Sequence, residues 1–196
     1  MIRILLACLL TLPSAAIVAA EIEYLNVDRD GKILHVDSVL LINAPRALVF
    51  AALSDYSAFA ELSDRYKQSR FIEPAADGTP RIYTEIEGCV WFFCRTVERY
   101  ARLELTPDEK IVAIVEPEQS DLISGREQWL LEEVPTGTRV TYTHSMQPDF
   151  WLPPLLGIWA IRHALEKDAL SAANNIEARA LGQDQGIESD SFVTEP

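Results

Sequence analysis

Residues 125–147, GREQWLLEEVPTGTRVTYTHSMQ, decide how the rest of the chain reads. Val140, Tyr142, His144 and Met146 fall on one face, and Thr141, Thr143 and Ser145 on the other. That alternation marks a strand with one buried side. Before the turn signal PTGT, a second run places Gly125, Glu127, Trp129 and Leu131 on one face. A hairpin is predicted here, and a run without internal proline, from about Pro154 to Leu181, follows it. In that run Leu155, Ile158, Trp159, Arg162, Leu165, Ala169, Ala172, Ala173, Ile176 and Ala180 keep helical spacing, with Arg162 the one charge in the stripe.

Upstream, KILHVDSVLLINA reads as a strand with Leu34, Val36, Leu40 and Ile42 on one face and Ser38 among them. NAPRALVFAALSD reads as a short helix capped at Asn43 or Ala44, with Pro45 in its first turn. YSAFAELSDR reads as a second. Further β runs then end in turn signals: YKQSRFIE at PAADGTP, CRTVERYARLEL at TPDEK, KIVAIVEP at EQSDLIS. The expected order is β, α, α, six β, α, an α+β fold. Its roughly seven antiparallel strands form a meander, and the long C-terminal helix covers their apolar face. A sheet curved around one helix encloses a space.

The ends of the chain are read apart from this domain. MIRILLACLLTLPSAAIVAA has a basic start, an apolar run and small residues up to Ala20, the pattern of a cleaved secretory signal over 1–20. Pro13 and Ser14 interrupt the run and weigh against a retained anchor. Cleavage at Cys8 after LLA would leave too little apolar segment for export. Residues 21–32 read as a polar lead-in, 33–181 as the folded domain, and 182–196 as a disordered acidic tail. The expected location is outside the cytoplasm, in a bacterial periplasm.

Charge excludes some partners. With 17 Lys and Arg against 30 Asp and Glu, the net charge is −13. Such a surface repels nucleic acid and anionic lipid at long range. Any membrane contact would rest on apolar side chains. Two cysteines outside the leader and three scattered histidines give no metal-ligand spacing, so no metal is expected. No phosphate loop, nucleophile elbow or dinucleotide glycine pattern is present.

In GCVWFFCR, Cys89 and Cys94 are five residues apart. On one extended strand they would sit roughly 17 Å apart. A disulfide, which export would permit, therefore requires a reversal, read here as a four-residue loop from Val90 to Phe93. Alternate connections of a meander share an end. The polar links PAADGTP, TPDEK and PTGT collect at one end, and VWFF, EQSDLIS and PDFWLPP at the other. Trp91, Phe92, Phe93, Phe150, Trp151 and Leu152 thereby gather as the mouth of a cavity or a membrane contact, unless they fold back as a plug.

INAPRALVFAALSDYSAFAELSDRYKQSRFIE resembles the opening of START-like proteins of the SRPBCC superfamily. SGREQWLLEEVPTGTRVTYTHSMQPDFWLPP with the helix after it resembles their closing half. The subgroup it looks most like is that of bacterial coenzyme Q-binding and polyketide cyclase-like proteins, over roughly residues 33–181. The resemblance implies a helix-grip fold with a hydrophobic cavity whose occupants elsewhere are lipids, quinones, sterols or polyketides.

The candidate cavity residues are Trp129, Tyr142, His144 and Arg162. His144 and Tyr142 could contact a ligand or act as acid and base. Arg95 and Arg99 read most simply as a solvated face. If they share the inward parity of Val97 and Ala101, they would meet an acidic ligand or Glu85 or Glu87. The expected function is non-catalytic binding or transfer of a lipid, quinone or isoprenoid, with no cofactor beyond such a bound molecule. Two alternatives are a cyclase- or hydrolase-type enzyme in the same cavity and a protein-binding module using the aromatic end.

Overall fold

The computed structural model describes residues 20–90, 93–151 and 158–182. The expected leader, apart from Ala20, and the expected tail, apart from Gly182, lie outside them.

Strict alternation sets the central strand. In β2 (Ile33–Ile42) every second residue from Leu34 to Ile42 is buried, Ser38 included. Chain reversal through Gly31 places β1 (Glu21–Asp30) beside it, and Gly31 adopts φ +59°, a conformation costly for any residue with a Cβ. The lead-in is thus a strand. Its pattern is hidden by a bulge between Ile22 and Tyr24, which shifts the parity. Ile22 faces across to Leu40, but the next inward residues are Leu25 and Val27.

Two short helices follow, α1 (Arg46–Ser54) and α2 (Phe59–Leu62). Pro45 is the N-cap of α1, its carbonyl accepting from the amides of Leu48 and Val49. The strands β3 (Tyr66–Ile72), β4 (Arg81–Val90), β5 (Phe93–Thr106), β6 (Lys110–Val115), β7 (Leu122–Val134) and β8 (Gly137–Pro148) come next, and α3 (Ile158–Ala180) ends the described fold. All neighbours pair antiparallel, in the order β1-β2-β8-β7-β6-β5-β4-β3. The sheet has eight strands where seven were expected, the addition being β1.

One end of the curved sheet is filled. Val49, Ala52, Leu53, Tyr56, Phe59 and Leu62 pack against Ile82, Leu103, Ile111, Leu131 and Val140 from the strands and Ala173, Ile176 and Ala180 from α3. Each large aliphatic side chain buried there stabilises the fold by about 1.5–3 kcal/mol. Gly137 seals this end: a Cβ there would lie 2.2 Å from the Ile42 carbonyl oxygen. Thr138 Oγ1 then donates to the Ala44 carbonyl at 2.8 Å, tying β8 to the start of α1. No helix among the described residues is long and apolar enough to cross a membrane.

The disulfide forms, with Cα atoms 4.0 Å apart, but the reversal is tighter than expected. Cys89 lies directly opposite Cys94, and the ladder continues to Val90 opposite Phe93. Only Trp91 and Phe92 are left to the turn, and both lie outside the described residues. Replacing both cysteines by serine should lower stability by about 2 kcal/mol, since the closed loop is short. Urea denaturation of C89S/C94S beside the oxidised protein measures this; equal midpoints would contradict it.

Candidate functional site

The sheet and α3 enclose a cavity of about 330 Å³. Most of its wall is aliphatic: Val27, Val36, Leu40, Ile86, Val97 and Leu165 are among the lining side chains. One cluster of its polar groups comes from β5, β7 and β8, while Ser38, Ser63, Arg65, Tyr66 and Asp168 stand elsewhere on the wall. The β7–β8 register sets Glu127 opposite His144 and Trp129 opposite Tyr142, so the four project inward together. Arg99 projects from β5, where it stands opposite Thr84 of β4.

Arg99 and Glu127 form a buried ion pair, each about 1% exposed. Strand β6 lies between their strands, and inward positions there and on β5 are taken by the small residues Ala113 and Ala101. These leave a path for the long arginine side chain. Arg99 Nη1 donates to Glu127 Oε2, and Arg99 Nε donates to Thr84 Oγ1 at 3.0 Å. Glu127 Oε1 accepts from Trp129 Nε1 at 2.9 Å and from the Tyr56 hydroxyl at 3.4 Å. Burying two charges costs several kcal/mol per ion, and this ring of hydrogen bonds is what offsets it. Arg99 Nη2 is buried and donates to no acceptor at hydrogen-bond distance and angle, although the Tyr66 hydroxyl also lies beside the guanidinium.

These surroundings fix protonation. Burial alone would raise Glu127, but Arg99, His144 and the Arg99 and Trp129 hydrogen bonds hold its carboxyl below the usual range. Burial pushes His144 down to about 4; Glu127 opposes this and Arg99 adds to it. The imidazole is therefore neutral at pH 7. Burial, then Glu127, raises the Tyr142 and Tyr56 phenols well above their ordinary value. Glu127 has both oxygens engaged, while His144 and Tyr142 have no protein hydrogen-bond partner among the described residues and line the cavity. The Tyr142 ring packs on Trp129, with centroids 4.2 Å apart.

The structure brings Trp129, Tyr142 and His144 together, as expected, and separates Arg162 from them. Arg162 points to solvent and pairs with Glu166 at 3.0 Å. The stripe on α3 is rotated from the expected one: Ile161, Ala164, Leu165, Asp168, Ala169 and Ala172 line the cavity, and Trp159 is 71% exposed. The seating of Ala173, Ile176 and Ala180 at the filled end sets that rotation. Arg99 is not on a solvated face, and its partner is Glu127 rather than Glu85 or Glu87. The signal was present, since Arg99 shares parity with Ala101 and Leu103, and Glu127 with Trp129 and Leu131.

At the aromatic end, Phe150 lines the cavity, and the Arg95 guanidinium stacks on its ring at 4.7 Å. Gly88, Cys89, Leu122 and Pro148 line the same region, so the β4–β5, β6–β7 and β8–α3 links do share an end. Trp151 is 72% exposed. Trp91, Phe92 and Leu152 lie outside the described residues, as does the side chain of Phe93.

No protein-family model and no curated protein matches this sequence. Solved structures do. A START superfamily protein from Mycobacterium smegmatis superposes with a TM-score of 0.58 at 12% identity, over 76% of this chain and 98% of that one. Human STARD10 gives 0.59 at 10% identity, over 83% and 76%. The Zhui aromatase/cyclase from Streptomyces sp. R1128 gives 0.52 at 17% identity, over 77% and 93%. The chain has the START-like helix-grip fold.

Two outcomes follow from the buried pair and its neighbour. Glu127→Ala strands a buried guanidinium and should cost about 3–5 kcal/mol in denaturant unfolding. The double replacement Arg99→Met with Glu127→Leu should cost less than that single change. His144 has a folded pKa of about 4 against an ordinary 6.5. A depressed pKa gives stability that is fully present above 6.5 and is lost as pH falls from there toward 4. His144→Gln should flatten that decline between pH 6.5 and 5, a range above most carboxylate titration; an unchanged slope in that variant would contradict it.

Proposed function

We propose that this chain is an exported, non-catalytic carrier or sensor of a hydrophobic small molecule that bears an oxygen acceptor at one end. The observation that carries this reading is the cavity itself. It has aliphatic walls, and at one place it carries hydrogen-bonding groups with unused capacity, the Tyr142 hydroxyl and the His144 ring. On the same wall the buried Arg99 Nη2 donates no well-formed hydrogen bond, with the Tyr66 hydroxyl beside it. Such a site is short of acceptors, so a ligand carbonyl or the oxygen of a quinone, or a water held by it, suits it better than an amine. Lipids, quinones and isoprenoids with an oxygenated end meet both demands.

Non-catalytic use is supported by the state of the ionisable groups. Glu127 is fully engaged and held ionised by Arg99, so it is not available for proton transfer. Neutral His144, with its pKa near 4, is a weak base. Export is supported by the sequence of residues 1–20, and the aromatic end, with Trp151 exposed, suits brief contact with a membrane during loading.

A second reading is an enzyme of cyclase type. His144 and Tyr142 standing side by side in the cavity, with ring centroids 6.1 Å apart, favour it, because two neutral donors can polarise a substrate carbonyl.

Native mass spectrometry after gentle purification tests the first reading. Wild-type protein should retain a co-purifying lipid or take up a member of a quinone and fatty-acid panel. Ala172→Trp, which fills the cavity from α3, should lose that uptake while the fold persists by circular dichroism. A wild type that takes up nothing would overturn the reading. Conversion of a polyketide substrate that His144→Ala abolishes would favour the second.

A further inference from the structure

The inward positions of β4 and β5 come in pairs set by the register. Thr84 stands opposite Arg99, Ile86 opposite Val97, and Gly88 opposite Arg95. All of these but Thr84 line the cavity. Followed outward from the buried ion pair, the wall is polar, then aliphatic, then cationic. On β8, His144 is likewise followed on the wall by Met146 and Pro148, with Phe150 just past the end of the strand.

Arg95 is exposed at this outer end. Its guanidinium lies over the Phe150 ring, 4.7 Å from the ring centre. That contact uses the face of the group and leaves the N–H donors at its edge open. Among the described residues no carboxylate stands within ion-pair distance of Arg95. Nothing from the neighbouring strands covers it. Strand β6 pairs with β5 only from Ala101 onward, and a Cβ at Gly88 would meet only the Arg95 carbonyl, 3.9 Å away.

On the other side of Phe150 and Pro148 is a second hollow, lined by Arg29 and Lys32 from the β1–β2 reversal together with Ile123, Trp151 and one carboxylate, Asp149. Arg29 donates to the Gly31 carbonyl, and neither cation has a carboxylate within ion-pair distance among the described residues. In a chain of net charge −13, three such cations around one phenyl ring reverse the local sign.

We propose that the cavity's ligand is a chain amphiphile with two polar ends: a neutral oxygen received at His144 and Tyr142, and an anionic group, carboxylate or phosphate, held by Arg95 at the mouth. The proposal rests on the cavity-binding reading above and adds the chemistry and position of the second end. The strand supplies the ruler. Arg99 and Arg95 are four residues apart on one face of β5, so the two stations differ in level by roughly 13 Å. With C–C bonds of about 1.5 Å, an extended chain of roughly ten carbons spans that distance. The overall negative charge does not forbid an anion here, because beyond a Debye length of about 8 Å it is screened and the neighbouring cations set the field.

Isothermal titration calorimetry on the whole chain tests this with an oxododecanoate whose ketone is next to its terminal methyl. Wild type should bind this acid about tenfold tighter than its methyl ester, the order expected for a charge-assisted hydrogen bond. It should bind the isomer with the ketone close to the carboxylate about fivefold more weakly, since one end is then unmatched. Arg95→Gln should weaken binding of the acid about tenfold and leave that of the ester unchanged, with Arg95→Lys retaining most of the affinity. Rising salt should weaken acid binding more steeply in wild type than in Arg95→Gln. Dodecyl phosphate separates the two sources of the anion: tighter binding than dodecanoate assigns a phosphate end and weaker binding a carboxylate, either of which supports the proposal. An acid and a phosphate that both bind no tighter than the ester would overturn Arg95 as the counter-ion and leave the binding reading intact. Equal affinity for the two keto isomers would overturn the spacing. A wild type that binds none of these chains would overturn the binding reading and this inference with it. These comparisons use wild type alone, so they decide the matter where a variant fails to fold.

Discussion

The ion pair between Arg99 and Glu127 is the constraint around which the site is arranged. Two charges removed from water demand partners, and the fold supplies them from separate elements: Thr84 from β4, Trp129 from β7 and Tyr56 from the turn after α1. The requirement explains features that look unrelated along the chain. It fixes the parity of β5 and β7, since a one-residue slip in either would turn a charge outward. It calls for small residues at Ala101 and Ala113 between them. It sets the field in which His144 stays neutral and Tyr142 stays protonated.

That arrangement divides the space under the sheet into two functions. At the filled end, α1, α2 and the second half of α3 provide the packed core, and their apolar burial carries most of the stability. Beyond that end, the alanines of α3 at 164, 169 and 172 line the cavity and are too short to fill it. A helix with larger side chains there would close the cavity. The same molecule can therefore be stable and hollow: along α3 the core contacts and the cavity wall lie mainly on different stretches, with Ile176 shared by both.

Much of the fold was legible in the sequence. The alternation of β2 and of β8, the turn signals and the long C-terminal run define the meander and its covering helix. The strand β1 was hidden because its bulge breaks the alternation on which strand reading depends. Arg162 was misplaced because the apolar arc of α3 is wide, and only the seating of Ile176 and Ala180 fixes which edge faces inward. Trp129, Tyr142 and His144 were legible because parity alone brings them to one face. The pairing of Arg99 with Glu127 was not, since it spans two strands with a third between them, and parity says which face a residue takes but not which partner it reaches across a curved sheet. The hairpin at Cys89–Cys94 was placed correctly by the disulfide's need for a reversal, while its length required the register.

The central claim is that a ligand's oxygen is received at His144 and Tyr142, above the buried pair. Nitrogen-15 NMR of the histidine side chains, recorded while a decyl-substituted benzoquinone is added to the whole protein, tests it most directly. The resonances assigned to His144 by their loss in His144→Gln should report a neutral ring at pH 6 and shift as the quinone binds, with those of His35 and His163 unmoved. Saturable binding that leaves the His144 resonances in place would contradict the account.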